Sequence, residues 1–364
     1  MRLSPIRRYL KVLLSYYFGV PLYQPESVSL VITDKCNLRC KTCEYWNQKS
    51  KDKNFLSLQD CEELFSELAG CGVRQIQFTG GEPLLRPDLF SIFHAAKSNG
   101  LEITLLTNGT LINEKNCEAI VDLVDSINIS LDSPHSEVHD SIRAIAGTFE
   151  RATEAIRLLS GARKRKDKQV EITVCATISM MSLHNPAEML ALIKELGADR
   201  LIYNPASAGS YGYSSLKSDF ANETMKMGRY DEMVDKIIGL MNGNGSLIKS
   251  NPFYLQSSKR FLRGDRRYSY FPCYSAGYNG PLVNYDGEVF PCCVWNVSLG
   301  NIREKPFSRI WKSERTRLIR KRIKDKDCPM CYHHTRTFDY IVHSPFLIRN
   351  PVGLCKGYLK LFRS

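Results

Sequence analysis

The chain has 364 residues, 43% of them hydrophobic, and a formal net charge of +12. That apolar fraction supports a substantial core and excludes a disordered chain, while no run approaches the ~20 apolar residues that span a bilayer and no signal peptide is evident. Thirteen cysteines are an odd number and are clustered, so they read as metal ligands in a reducing, cytoplasmic compartment rather than a disulfide framework. The charge suits an anionic partner, whether nucleic acid, acidic peptide, phosphorylated metabolite or membrane surface.

Residues 5–18 read as an amphipathic helix, with Ser4 able to cap it and Pro5 suited to its first turn. Ile6, Tyr9, Leu10, Leu13, Leu14 and Tyr17 share one face, which can pack on the domain or lie peripherally at the inner face of a membrane, aided by Arg2, Arg7, Arg8 and Lys11. From residue 28 to 204, β-rich runs at 28–33, 74–79, 102–107, 126–131, 170–178 and 200–204 alternate with helical patterns at 57–70, 87–99, 113–123, 148–161 and 186–197, and a further helix is expected at 223–242. Such alternation predicts an α/β chain, a partial (β/α)6 TIM-like barrel, with its site at the C-terminal ends of the strands.

The motifs fall on that rim. Cys36-Asn-Leu-Arg-Cys40-Lys-Thr-Cys43 follows the first run directly. A structural zinc site closes with four ligands, so three close cysteines without a nearby fourth ligand suggest a [4Fe–4S] cluster with one open iron. The second run ends in Gly80-Gly81-Glu82-Pro83, the third in Thr107-Asn108-Gly109, and the fourth in Ser130-Leu131-Asp132. The glycines permit close backbone approach and Glu82 can accept from an ammonium group. Each turn alone is ordinary punctuation. Together with the cysteines they form a rim of ligand-reading groups.

Cys36-x3-Cys40-x2-Cys43 followed by Gly80-Gly81-Glu82-Pro83 resembles the radical S-adenosylmethionine (SAM) superfamily, over roughly residues 28–204. The resemblance implies that Cys36, Cys40 and Cys43 bind a [4Fe–4S] cluster whose fourth iron is chelated by SAM. It implies that reductive cleavage of SAM yields a 5′-deoxyadenosyl radical that abstracts hydrogen from a substrate C–H bond. It places Gly80, Gly81, Glu82 and Pro83 near the methionine amine, Thr107, Asn108, Ser130 and Asp132 near ribose or methionyl groups, and Arg143 near the carboxylate. The residue before the third cysteine, usually aromatic in that family, is Thr42 here, with Tyr45 and Trp46 just beyond. A reducing partner such as flavodoxin or ferredoxin is also implied.

After Gly243 the pattern changes. Asp286-Gly287 between short β-rich runs signals a hairpin, a basic helix is expected from about 307 to 324, and Cys328-Pro-Met-Cys331 follows it. On spacing alone, zinc and [4Fe–4S] both remain open there. Cys273-x13-Gly287-x4-Cys292, with Trp295, Gly300-Asn301-Ile302 and Ile310-Trp311 after it, resembles the SPASM extension. That resemblance implies one auxiliary [4Fe–4S] cluster on Cys273, Cys292, Cys328 and Cys331, with Cys293 as a substitute ligand. Cys61, Cys71, Cys117 and Cys175 are expected to be buried small hydrophobes.

The expected organisation is an N-terminal helix (1–26), the barrel (27–243), an auxiliary-cluster domain of α+β type (244–340) and a basic, apolar tail (341–364). The basic stretch at 160–169 is expected as a solvated loop, and the loop from Asn204 to Tyr213 either as a wall of the substrate cavity or as an ordinary surface loop. The expected substrate is a peptide or protein side chain, although residues 1–26 are too short for a leader-binding domain. A lipid or isoprenoid at a membrane surface and a sugar metabolite are the alternatives. The reading from another class is a non-catalytic iron–sulfur or zinc protein that binds nucleic acid.

Overall fold

The computed structural model describes residues 5–19, 21–22, 24–43, 45–47, 54–206, 224–244, 247–265, 272–329 and 331. The tail at 341–364 and residues 207–213 of the loop after β6 lie outside the described residues. Strands β1 (Ser27–Thr33), β2 (Gln75–Gly80), β3 (Glu102–Thr107), β4 (Ser126–Ser130), β5 (Glu171–Ile178) and β6 (Arg200–Pro205) pair in parallel in chain order. Helices α2 (Leu58–Gly70), α3 (Leu89–Ser98), α4 (Cys117–Leu123), α6 (Thr148–Arg165) and α7 (Pro186–Leu196) lie between successive strands. The architecture is therefore the partial barrel expected from the alternation.

Strand parity sorts the side chains. Ile76, Phe78, Ile103, Leu105, Ile127, Ile129, Ile172 and Val174 point to the helical side and form one core with Leu64, Phe65, Phe93, Ile120 and Leu159. The opposite parity is polar: Ser29 Oγ donates to Gln77, Gln75 donates to Thr104 Oγ1 at 3.0 Å, and Thr104 and Ser126 hydroxyls are 2.8 Å apart. Alternate positions on a strand face opposite sides, so hydroxyls and amides line the inner face of the barrel.

The C-terminal segment completes this sheet. Strands β7 (Leu282–Val283), β8 (Glu288–Phe290) and β9 (Gly300–Asn301) form an antiparallel meander, and β7 pairs in parallel with β1 at Ser29 and Leu30. The exposed edge of β1 is thereby covered. Gly287 turns the hairpin at φ 88°, as Asp286-Gly287 signalled.

Several expectations need correction. Helices α5 (Ser136–Arg143) and α9 (Pro252–Leu262) were not anticipated, and α8 (Thr224–Asn244) was. The single basic helix is two, α10 (Phe307–Trp311) and α11 (Glu314–Lys324), because Ser313 is an N-cap that accepts from Thr316 N–H. Helix α6 continues to Arg165, so the basic stretch at 160–169 is helical in its first part and forms the expected loop only from Lys166. Its cations are engaged: Arg163 with Asp199, Lys166 with Asp122, and Arg165 with Glu118. Cys61 and Cys117 are buried as expected, whereas Cys71 and Cys175 are only half-buried.

Helix α1 (Pro5–Phe18) packs on the protein. Val12 and Tyr16 are buried against Tyr274 and Tyr278, and the Tyr16 and Tyr274 rings meet edge-on at 4.9 Å. Among the described residues no helix is long and apolar enough to cross a membrane.

Candidate active site

The cysteine loop leaves β1 at Thr33 and is held from two sides. Arg39 N–H and Lys41 N–H donate to the carbonyls of Arg143 and Ile142 at the end of α5 (3.3 and 2.9 Å). Asn37 donates to Thr110 Oγ1 at 2.8 Å and accepts from Asn108 Nδ2 at 2.9 Å, tying the loop to the end of β3. Asn37 was not anticipated as a site residue. Its position inside the triplet was the only sequence signal.

Gly80 and Gly81 serve the same loop. Gly81 N–H donates to Thr33 O at 2.9 Å and Glu82 N–H to Lys35 O at 2.7 Å. A Cβ on Gly80 would lie 2.2 Å from Thr33 O, and one on Gly81 2.1 Å from Lys35 O. The close approach that these glycines permit is therefore to the backbone that launches the cysteine loop. A ligand was the partner expected from sequence.

Glu82 is fully buried, with both oxygens occupied. Oε1 accepts from Thr107 Oγ1 (2.7 Å) and Leu84 N–H (3.1 Å), and Oε2 accepts from Asn108 N–H (2.8 Å). Burial raises its pKa, and these donors act against that rise. The carboxylate thus clamps the ends of β2 and β3, and Pro83 starts a short 3-10 turn behind it. Asp132 is 1% exposed; Oδ2 is 2.8 Å from Arg143 Nη2 and Oδ1 accepts from Thr177 N–H at 3.0 Å. Arg143 also donates from Nη1 to Cys40 Sγ at 3.8 Å.

A pocket of about 170 Å³ opens at this rim. Its wall includes Cys36, Cys40 and Cys43 from the loop, Gly80 and Gly81 after β2, Thr107 and Asn108 after β3, Ser130 from β4, Arg143 from α5 and Thr177 from β5. Of the expected cofactor residues, Glu82, Pro83 and Asp132 stand behind the wall, acting through Thr107, Asn108, Thr177 and Arg143. Thr177 was missed, although it ends β5 with the same parity as Ser130 on β4.

The donor set suits an iron–sulfur cluster. Burial raises the Cys36 thiol to about 11, with further upward pressure from Cys40, Glu82 and Cys43. Crowded thiols resist ionising together until a cationic centre offsets the repulsion. Among the described residues, no three His, Cys, Asp or Glu side chains converge as they would around one ion. A cubane takes one thiolate per iron, so its ligands surround a volume instead.

Two family models match this chain: that of the radical SAM superfamily over residues 30–196, and that of the SPASM iron–sulfur cluster-binding domain over 273–333. The chain belongs to the radical SAM superfamily. It is an enzyme that uses SAM and [4Fe–4S] clusters. It is 27% identical to an AdoMet-dependent heme synthase of Methanosarcina barkeri, covering 90% of this chain and 97% of the relative. It is 25% identical to the antilisterial bacteriocin subtilosin biosynthesis protein AlbA of Bacillus subtilis, covering 86% and 66%. Its fold is similar to that of SuiB of Streptococcus suis bound to S-adenosylmethionine, with TM-score 0.65, 17% identity, and coverage of 89% of this chain and 75% of that one.

The radical SAM enzyme carries its second cysteine set around α11. Gly277 N–H donates to Pro291 O at 2.8 Å, joining the turn after Cys273 to the strand end before Cys292. Buried Arg320 donates to Gly277 O (2.6 Å) and Trp311 O (2.9 Å), and the Arg322 guanidinium lies 4.8 Å from the Trp295 ring centre. These contacts tie α11, which precedes Cys328 in the chain, to the turn after Cys273 and to the segment after Cys292. Cys293, like Cys43, is half-buried and packs against the cluster of Val31, Tyr45, Leu282 and Phe290.

Proposed function

We propose that Cys36, Cys40 and Cys43 hold the cluster that binds SAM, and that Cys273, Cys292, Cys328 and Cys331 hold one auxiliary [4Fe–4S] cluster. The observation that carries the first assignment is the pocket that gathers three thiols with Gly80, Asn108, Ser130 and Arg143 on one rim. When bound, the pair supplies one-electron cleavage of the S–C5′ bond of SAM, giving a carbon radical that takes hydrogen from a substrate C–H. The chain's own residues orient and exclude. Ser130 and Thr177 hydroxyls and the Gly80–Gly81 backbone present hydrogen-bonding groups, Glu82 and Asp132 hold them in place, and Tyr45 and Trp46 shield the thiols from water.

For the substrate we favour a peptide or protein side chain, because the inner face of the barrel offers hydroxyls and amides that match a peptide backbone. One relative is by name a PqqA peptide cyclase, and AlbA is by name a bacteriocin biosynthesis protein. A carboxylate-bearing tetrapyrrole is the second reading, favoured by the match along nearly the full length of the heme synthase. Helix α1 packs through Val12 and Tyr16, which lie off the apolar face that motivated a lipid substrate; of that face Leu13 packs against them and Tyr17 stays exposed.

Anaerobically reconstituted, reduced protein should release 5′-deoxyadenosine from SAM. The Cys36→Ala, Cys40→Ala and Cys43→Ala variants should lose that release together with about half of the iron, near four of about eight atoms. Retention of full iron content by all three would remove the assignment. Incorporation of deuterium from a labelled peptide or iron-coproporphyrin into 5′-deoxyadenosine separates the substrate readings.

A further inference from the structure

Helix α11 (ERTRLIRKRIK) carries six basic residues and one acidic, a net of +5 in eleven residues. Its inner side is fixed: Thr316, Ile319, Arg320 and Ile323 are buried, and Arg320 is held by two carbonyls and stacked over Trp311 at 4.7 Å. Its outer side presents Leu318, 50% exposed, with Arg315, Lys321 and Arg322 three and four residues away, on the same face. Lys312 is exposed just before the helix. A helix whose only role was to be solvated would gain from basic residues at its C-terminal end. It would gain nothing from an exposed leucine among them. Glu314, four residues before Leu318, pairs with Arg317, Asp327 pairs with Arg322 and Arg315 donates to Ser298 O, yet the face stays net positive around its apolar anchor, the pattern of a surface that steers a partner and then seats it.

Position decides the partner. The helix runs into Cys328, and Arg322 stacks on Trp295, three residues past Cys292. A molecule docked on this face therefore sits over the segment carrying the second cysteine set. Resting on the cluster assignment above, we propose that the outer face of α11 is the docking surface for an acidic one-electron donor protein of flavodoxin type, which delivers its electron through the auxiliary cluster. The donor's reduced flavin loses one electron and the cluster gains one, with no bond made or broken. Nucleic acid or an anionic membrane would require the same charge but not this placement beside the cysteines.

The test uses the reconstituted holoenzyme and a Lys312→Glu/Leu318→Ser/Lys321→Glu variant, none of whose residues is placed in the cofactor sites. Release of 5′-deoxyadenosine is driven either by reduced flavodoxin or by dithionite, and flavodoxin affinity is measured separately by anaerobic calorimetry. The expected result is a loss of about tenfold or more in both the flavodoxin-driven rate and the affinity, with the dithionite-driven rate unchanged. Raising the salt should slow only the flavodoxin-driven rate. Unchanged flavodoxin affinity in the variant overturns the proposal. So does unchanged flavodoxin dependence alongside lost binding to phosphatidylglycerol vesicles or duplex oligonucleotide. Failure of dithionite to support any release would instead count against the cluster assignment, and the calorimetry would still decide the docking surface.

Discussion

Arg143 donates to Cys40 Sγ at 3.8 Å from one terminal nitrogen while its other lies 2.8 Å from Asp132 Oδ2. One guanidinium thus couples the cysteine loop to the end of β4. Removing it leaves the buried Asp132 carboxylate without its cation, and breaking such a pair costs about 3–5 kcal/mol. Arg143→Ala should therefore lower the urea midpoint sharply, and Arg143→Lys by less, since a point charge cannot span both partners. An Arg143→Leu/Asp132→Leu double variant should recover much of the loss. Equal stability of wild type and Arg143→Ala would refute the coupling.

Glu82 tests the clamp between β2 and β3. Glu82→Gln keeps the shape but points an amide donor at Thr107, Asn108 or Leu84, all of which already donate. A loss of about 2–3 kcal/mol in unfolding free energy is expected, with weaker SAM binding by equilibrium dialysis. Wild-type stability and affinity in this variant would mean that the carboxylate is incidental.

Gly81→Ala should displace the cysteine loop, because the new methyl meets Lys35 O at 2.1 Å. Overpacking of this kind costs about 1–3 kcal/mol. The bound iron per chain should fall with it. Gly70→Ala at the end of α2, where nothing lies within 4 Å, should leave iron content unchanged and stability equal or higher. Similar iron loss in both variants would show that glycine loss in general, not the close approach, is responsible.

The buried His139 predicts a pH effect. Burial lowers its pKa from 6.5 to about 4, Arg143 adds to that, and its Nδ1 accepts from Asp132 N–H at 3.1 Å. Between those values the unfolded chain holds a proton that the folded chain does not. The stabilisation is therefore complete above pH 6.5 and is lost as pH falls towards 4, by at most about 3 kcal/mol. His139→Asn keeps an acceptor for Asp132 N–H and removes the titration. Its urea midpoints should change less than those of wild type across that window, and an identical slope would contradict the assignment.

Much of the barrel was legible because each strand and helix announces itself locally. All six strands lie within a residue or so of their β-rich runs, and the apolar parity of Ile76, Phe78, Ile103 and Leu105 marks the helical side. Helix α5 was not legible: Ser-Glu-Val-His-Asp-Ser-Ile-Arg buries only His139 and Ile142, too few for a periodic signal. The hairpin of β7 and β8 was signalled by Asp286-Gly287, but its docking on β1 and the two-residue strand β9 were hidden. Pairing to β1 defines β7, and pairing to β8 defines β9.

The sequence by itself determined the chemistry. Three cysteines at Cys36, Cys40 and Cys43 and a second set around a hairpin restrict what can be bound, because ligand type and spacing are local properties of the chain. Only the tertiary structure decided what the surrounding residues do. Glu82, expected to meet a ligand, faces Thr107 and Asn108. Gly80 and Gly81 make room for Thr33 and Lys35, and Arg143 answers both Cys40 and Asp132. Each of these roles depends on what another strand or loop brings within hydrogen-bonding distance. Burial then removes water as a competing partner, so those buried contacts are the ones the fold retains.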